Sequence, residues 1–189
     1  LMAATTTILG MVPLLFDIAF GGMAATKIRQ KGYTEAAIFA SRHSYFATSQ
    51  RVQAFISSCE RLGIETDEKY ILKGSSTRNG GYEIGKQYAA LKEPPKMIFC
   101  DSDAIALGAL RAFHEEGISV PGDAELLSIG MLDPEAASYY VPSLSVVEMP
   151  NKEIGQQVLR LMRKKVLNND MSSEHVKVHA KLMLRESFS

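Results

Sequence analysis

The sequence predicts an α/β protein built on a doubly wound parallel sheet. Three observations carry that expectation. Short apolar runs such as TEAAIFA (34–40), KMIFC (96–100) and PGDAELLSIG (121–130) read as strands buried on both faces. Between them lie segments with apolar residues at three-to-four spacing, several stopped by a glycine: Gly32, Gly63 and Gly117. The two patterns alternate along almost the whole chain, which is the rhythm of repeated βα units.

The elements follow in order. MVPLLFD (11–17) reads as a strand or crossing segment, and FGGMAATKIRQKGY (20–33) as a helix closed by Gly32. After the strand TEAAIFA comes the helix TSQRVQAFISSCERLGI, with Thr48 or Ser49 as N-cap and Gly63 just past its end. KYILKG is the next strand, TRNGGYEIGKQYAALKEPP a loop and helix, and KMIFC a further strand. The helix that starts near Asp103 has Asp101 or Ser102 as its cap and Gly117 as its stop. PGDAELLSIG is a strand, PEAASYYVPSL a short helix and loop, and SLSVVEMP an extended segment. An amphipathic helix runs from Lys152 to about Leu167, NNDMSS (168–173) is the candidate mobile connection, and HVKVHAKLMLRES closes the chain as an alternating edge strand.

Composition excludes several classes. With 189 residues the chain can bury a sizeable core. Lys plus Arg and Asp plus Glu both total 21, so no overall field draws the chain to nucleic acid or an anionic membrane. Cys59 and Cys100 form no CxxC spacing, which fits a reducing cytoplasm rather than a disulfide framework. Apolar stretches are interrupted well before the length of a membrane span, and no signal peptide precedes them. The chain starts at Leu1, which is read as the start of a fragment.

Catalytic and cofactor motifs are weak. GGYEIGK satisfies G-x-x-x-x-G-K from Gly80, but Gln87 stands where a phosphate loop needs Ser or Thr, and the segment reads as ordinary helix. His43, His114, His175 and His179 form no metal-ligand spacing, and there is no G-x-S-x-G elbow. Cys100 ends a strand and reads as a small buried hydrophobe. No metal, cofactor or enzymatic activity is expected.

The stretch FCDSDAIALGALRAF (99–113) is the most informative. Ala104 to Phe113 leaves no broad polar face, although a helix on a sheet needs only one apolar stripe. The second stripe is expected to be covered by a partner subunit. The stretch also resembles the effector-binding domain of LacI/GalR-family transcription regulators. Asp103, Ala106-Leu107-Gly108, Ala112, Gly117 and Val120-Pro121-Gly122-Asp123 are similar to a recurring series in that family. FDIAFGGMAATKIRQKGY, SQRVQAF, VPSLSVVEMPNKEIGQQVLRLM and LMLRES resemble further family segments, in unbroken order over roughly residues 16 to 189.

The resemblance implies a two-lobed domain of the periplasmic-binding-protein type that holds a small molecule between its lobes. Residues 17–145 and 175–189 are expected to form the C-terminal lobe, and 1–16 with 146–172 pieces of the N-terminal lobe. The DNA-binding helix-turn-helix is absent from the sequence, so operator DNA is a partner only through a missing headpiece. Arg51 matches the family's effector-gripping arginine; such a charged hydrogen bond contributes about 1.5–3 kcal/mol. Ser102 stands at an effector-contacting position, Asp17 at the first lobe crossing, Ser76 where members often carry a stacking aromatic, and Gly130 where an aspartate is usual. Asp103 is implied to be structural, and Asp133 is a shifted substitute for the missing aspartate. These departures weaken the case for a plain sugar or purine and favour a sugar phosphate or other anion meeting Arg51. The family's homodimer would form through Leu107, Leu110, Arg111 and His114. The expected function is effector sensing and dimerisation in a repressor, the alternative being a solute-binding protein that serves transport.

Overall fold

The computed structural model describes residues 19–42, 46–130, 135–168, 176 and 178–189. Asp17, His43, Asp133, His175 and the segments MVPLLFD and 169–173 lie outside the described residues. The elements are α1 (Ala19–Gln30), β1 (Ala37–Ser41), α2 (Phe46–Leu62), β2 (Ile71–Gly74), α3 (Arg78–Ala89) and β3 (Met97–Cys100). They continue with α4 (Asp103–Glu116), β4 (Glu125–Gly130), β5 (Ser145–Glu148), α5 (Asn151–Asn168) and β6 (Lys181–Met183). One six-stranded sheet has the order β2-β1-β3-β4-β5-β6. All neighbours are parallel except β6, which runs antiparallel to β5 at the edge.

Period-two alternation sorts each strand onto two faces. Ile38, Phe99, Leu127 and Val147 point into one core with α1 and α2, around Ala24, Ile28 and Phe55. Phe39, Ile98, Leu126 and Val146 point into the other with α3 and α4, around Ile84, Tyr88, Ile105 and Phe113. This is the doubly wound architecture: two helical layers on one sheet.

Two local expectations need correction. α2 starts at Phe46, so Thr48 and Ser49 lie inside its first turn rather than ahead of it. Ser102 takes the N-cap position of α4 without a side-chain cap bond, and Asp101 reaches across to strand β1 instead. β5 begins at the lobe boundary expected after residue 145 and pairs with β4 and β6 in this sheet. Ile154 of α5 is buried in the cluster that holds Phe55.

The second apolar stripe of α4 has its cover within the same chain. Helix α3 lies against it, and glycines on both helices set the distance. A Cβ on Gly108 would stand 2.5 Å from the Tyr82 backbone nitrogen, and one on Gly85 2.7 Å from the Ala112 methyl. Nothing larger than hydrogen fits at that contact. Gly81 and Gly85 of GGYEIGK therefore serve helix packing, while Gly80 lies against Ser75 of the preceding loop, which the motif alone could not show.

Candidate functional site

The carboxyl ends of β1, β2 and β3 bring together residues that are distant in sequence. In parallel α/β sheets this is the edge where ligands bind. β1 delivers Ser41, β2 leads into Ser75 and Ser76, and β3 into Asp101 and Ser102. Arg51 arrives on α2, one turn before Phe55. The Phe55 ring stacks on Phe99 of β3 at 3.9 Å between centroids, and this fixes α2 over the end of that strand. Arg51 is thereby held over the same edge, 8% exposed.

Asp101 is the centre of the arrangement. It is buried, and its Oδ2 accepts a hydrogen bond from the Ser41 backbone N–H at 2.7 Å. Its own N–H donates to the Phe39 carbonyl, which extends the β1–β3 pairing by one residue. Burial pushes the Asp101 carboxyl above its ordinary value, while the Ser41 N–H, the nearby Ser102 hydroxyl and the Arg51 charge pull the other way. Burial lowers the Arg51 guanidinium from its usual value, and Asp101 and Asp103 both oppose that shift. The arginine and the two carboxylates therefore act on one another electrostatically.

Of the expected effector contacts, Arg51, Ser76 and Ser102 come together. The Ser76 hydroxyl shares a hydrogen bond with that of Ser41, which leads through Asp101 to Arg51. Ser102 Oγ is buried and has no partner in hydrogen-bond geometry, a state that leaves it able to bond a ligand. Gly130 ends β4 on the same side of the sheet, in register with Glu148. Asp17 lies outside the described residues.

Ser41 and Asp101 were missed as site residues. The legible signal was position: each polar residue follows an apolar strand directly, where the carboxyl edge begins. Asp101 is readable as a cap and as part of the turn at the strand edge, but its bond to Ser41 is not, because it spans two strands.

The expected subunit face divides. Leu110 turns into the chain's own core at 9% exposure, since α3 and the sheet enclose that side of α4. Leu107 is half-buried, Arg111 and His114 are exposed, and Arg111 Nε donates to Glu115 at 2.7 Å. Ala137 and Tyr140 lie on the same side, in the α4 core. Their neighbours Tyr139 and Val141 face solvent, at 76% and 95% exposure.

Elsewhere, no described helix is long and apolar enough to cross a membrane. Among the described residues no group of His, Cys, Asp and Glu could hold a metal ion. Both cysteines are buried, and burial pushes the Cys59 thiol up to about 12 and Cys100 well above its usual value.

Comparisons with known proteins agree with this architecture. Residues 25–188 match the family model described as the periplasmic binding protein-like domain. The HTH-type transcriptional repressor PurR of Mannheimia succiniciproducens is 27% identical over 92% of this chain and 52% of its own length. A LacI family transcription regulator from Clostridium acetobutylicum superposes with a TM-score of 0.84 and 29% identity, covering 92% of this chain and 64% of that one. The Escherichia coli transcriptional repressor ascG gives 0.77 at 26% identity, over 90% of this chain and 61% of that one. The chain spans about half the length of the curated relatives it matches. The doubly wound sheet, the ordered series of motifs and these matches together show that the chain belongs to the periplasmic binding protein-like family, as a LacI/GalR-type effector-binding domain.

Proposed function

We propose that this chain is the effector-sensing and dimerising part of a cytoplasmic LacI-type transcriptional repressor, with no catalytic role. The observation that carries the reading is the cluster of Arg51, Asp101 and Ser102 at the carboxyl edge of the sheet. It is polar, buried and held by strand pairing, where a well-packed fold without a ligand would place apolar side chains. A small molecule entering there meets donors from Arg51 and the hydroxyls of Ser76 and Ser102. Operator DNA is contacted by residues outside this chain, and effector binding alters that contact through the domain.

Dimerisation uses the outer surface of α4, with Leu107, Arg111 and His114, widened by the exposed Tyr139 and Val141. Leu110 belongs to the fold rather than to this surface. Light scattering is expected to give a dimer, and Leu107→Glu to give a folded monomer. An unchanged mass for Leu107→Glu would remove the interface assignment.

The effector site is tested by melting the protein in the presence of sugars, sugar phosphates and purines, as wild type and as Arg51→Gln. Stabilisation by one compound that disappears in Arg51→Gln supports the site. Equal stabilisation of both proteins places the binding elsewhere.

A further inference from the structure

Arg51 stands where helix α2 carries it, and α2 is held from two sides at a single residue. On one side the Phe55 ring lies flat on Phe99, 3.9 Å between centroids and 6° between planes, with both side chains fully buried. On the other side the backbone of α1 touches that of α2. A Cβ on Gly21 would stand 2.5 Å from the Phe55 nitrogen, 2.7 Å from the Ala54 carbonyl carbon and 2.8 Å from the Phe55 Cα. All three neighbours are main chain, so no side chain can turn aside to admit a methyl. Gly22, next in the same helix, faces nothing nearer than the Ser58 hydroxyl at 3.5 Å, an ordinary contact.

We infer that Gly21 is a positioning residue for Arg51: it lets α1 seat α2 against β3 at Phe55, and so fixes where the arginine stands over the carboxyl edge. The inference rests on the reading of that edge as the effector site. Arg51 and Phe55 lie about one turn apart on one continuous helix, so a displacement of the Phe55 backbone is passed on to Arg51. A methyl at position 21 reaches ordinary carbon contact only if the two helices part by about 1 Å. α1 is not free to take up that shift alone, because Ala24, Ala25 and Ile28 are fully buried in the same core as Phe55. Binding sites keep their function only within about 0.5 Å of the productive geometry.

Crystal structures of Gly21→Ala and Gly22→Ala, superposed on wild type through the sheet, test this directly. Gly21→Ala is expected to move the Arg51 Cα by about 0.5–1 Å relative to β1 and β3, and Gly22→Ala to leave it in place. Affinity is then measured by calorimetry on the folded proteins with glucose, glucose 6-phosphate and adenine, a readout that a loss of stability alone does not move. Whichever of these binds wild type is expected to bind Gly21→Ala at least about tenfold more weakly and Gly22→Ala equally well. An Arg51 that stays in place in Gly21→Ala, or moves equally in both variants, would overturn the inference. So would Arg51-dependent binding that Gly21→Ala leaves unchanged. The crystallographic comparison decides even where none of the three compounds binds. If Gly21→Ala does not fold, Phe99→Leu removes the other side of the clamp and is read in the same way. Failure of the effector-site reading is recognised separately, as binding that survives Arg51→Gln.

Discussion

The sheet carries a charge cluster at each of its two edges, and the two are built differently. Where β4 begins, Lys31 meets Glu125 one to one, with Nζ to Oε2 at 2.8 Å. The same ammonium donates to the Ser189 carbonyl and lies over the Phe188 ring, 4.6 Å from its centroid. Ser187 completes this clasp, donating to the Leu126 carbonyl and accepting from the Ser145 N–H. Where the strands end, Arg51 acts electrostatically on two carboxylates, and the buried Ser102 hydroxyl bears on one of them, Asp101. Burial is common to both edges. What separates them is composition and place. One ammonium and one carboxylate fasten the residues up to Ser189 to the sheet, whereas, among the described residues, one guanidinium and two carboxylates gather at the carboxyl edge, where ligands bind in such sheets.

Breaking each cluster should expose that difference. Arg51→Ala is expected to be the most damaging change, because two buried carboxylates are left without their counter-charge. Such losses run to about 3–5 kcal/mol in urea unfolding, and ligand stabilisation should vanish with them. Lys31→Met leaves Glu125 unpaired at the other edge. Part of that pair is reachable by solvent, so a loss of about 2 kcal/mol is expected. Its ligand response should match wild type. An altered response would show that the two edges are coupled rather than separate.

Smaller effects come from titration. Burial raises the Asp101 carboxyl above its ordinary value, so the folded state holds that proton more tightly than the unfolded chain. Asp101 therefore gives its full stability below the ordinary carboxylate range, and this contribution is lost as pH rises through the raised value. Asp101→Asn, neutral throughout, should gain on wild type across that window, with Arg51, Asp103 and the Ser41 N–H unchanged around it. A difference that does not vary with pH would mean that Asp101 titrates normally. At the clasp, burial and Glu125 push the Tyr33 hydroxyl up to about 12. Its contribution is complete below its ordinary value of 10.0 and fades as pH climbs towards about 12. The melting-temperature gap between wild type and Tyr33→Phe should close over that interval, and a constant gap would assign Tyr33 a packing role only.

Much of the fold was legible because strands buried on both faces leave continuous apolar runs. The runs ending at Ala40, Cys100 and Gly130 became β1, β3 and β4 with their ends within one residue, while β1 and β4 start about three and four residues further in. Gly63 and Gly117 mark helix ends because both adopt positive φ, 66° and 73°. The misses share one cause, which is that contacts between elements leave no local signature. Asp101 beside a helix start looks like a cap until β1 brings the Ser41 N–H within reach. The spacing of Gly80 and Gly85 imitates a phosphate loop until Gly108 of another helix packs nearby. Leu107 and Leu110 share a helical face by spacing, yet α3 and the sheet bury Leu110 and leave Leu107 half-buried. At the candidate site, Arg51, Ser76 and Ser102 were singled out through the resemblance. The acid that opposes Arg51 belongs to this chain's own sequence and emerged from the geometry.

The most direct test of the central claim is a crystal structure of the protein with the small molecule that most raises its melting temperature. The account expects a polar atom of that ligand within hydrogen-bond distance of the Arg51 guanidinium, at the edge shared by Ser76, Asp101 and Ser102. A ligand seated elsewhere, with Arg51 touching only protein groups, would contradict it.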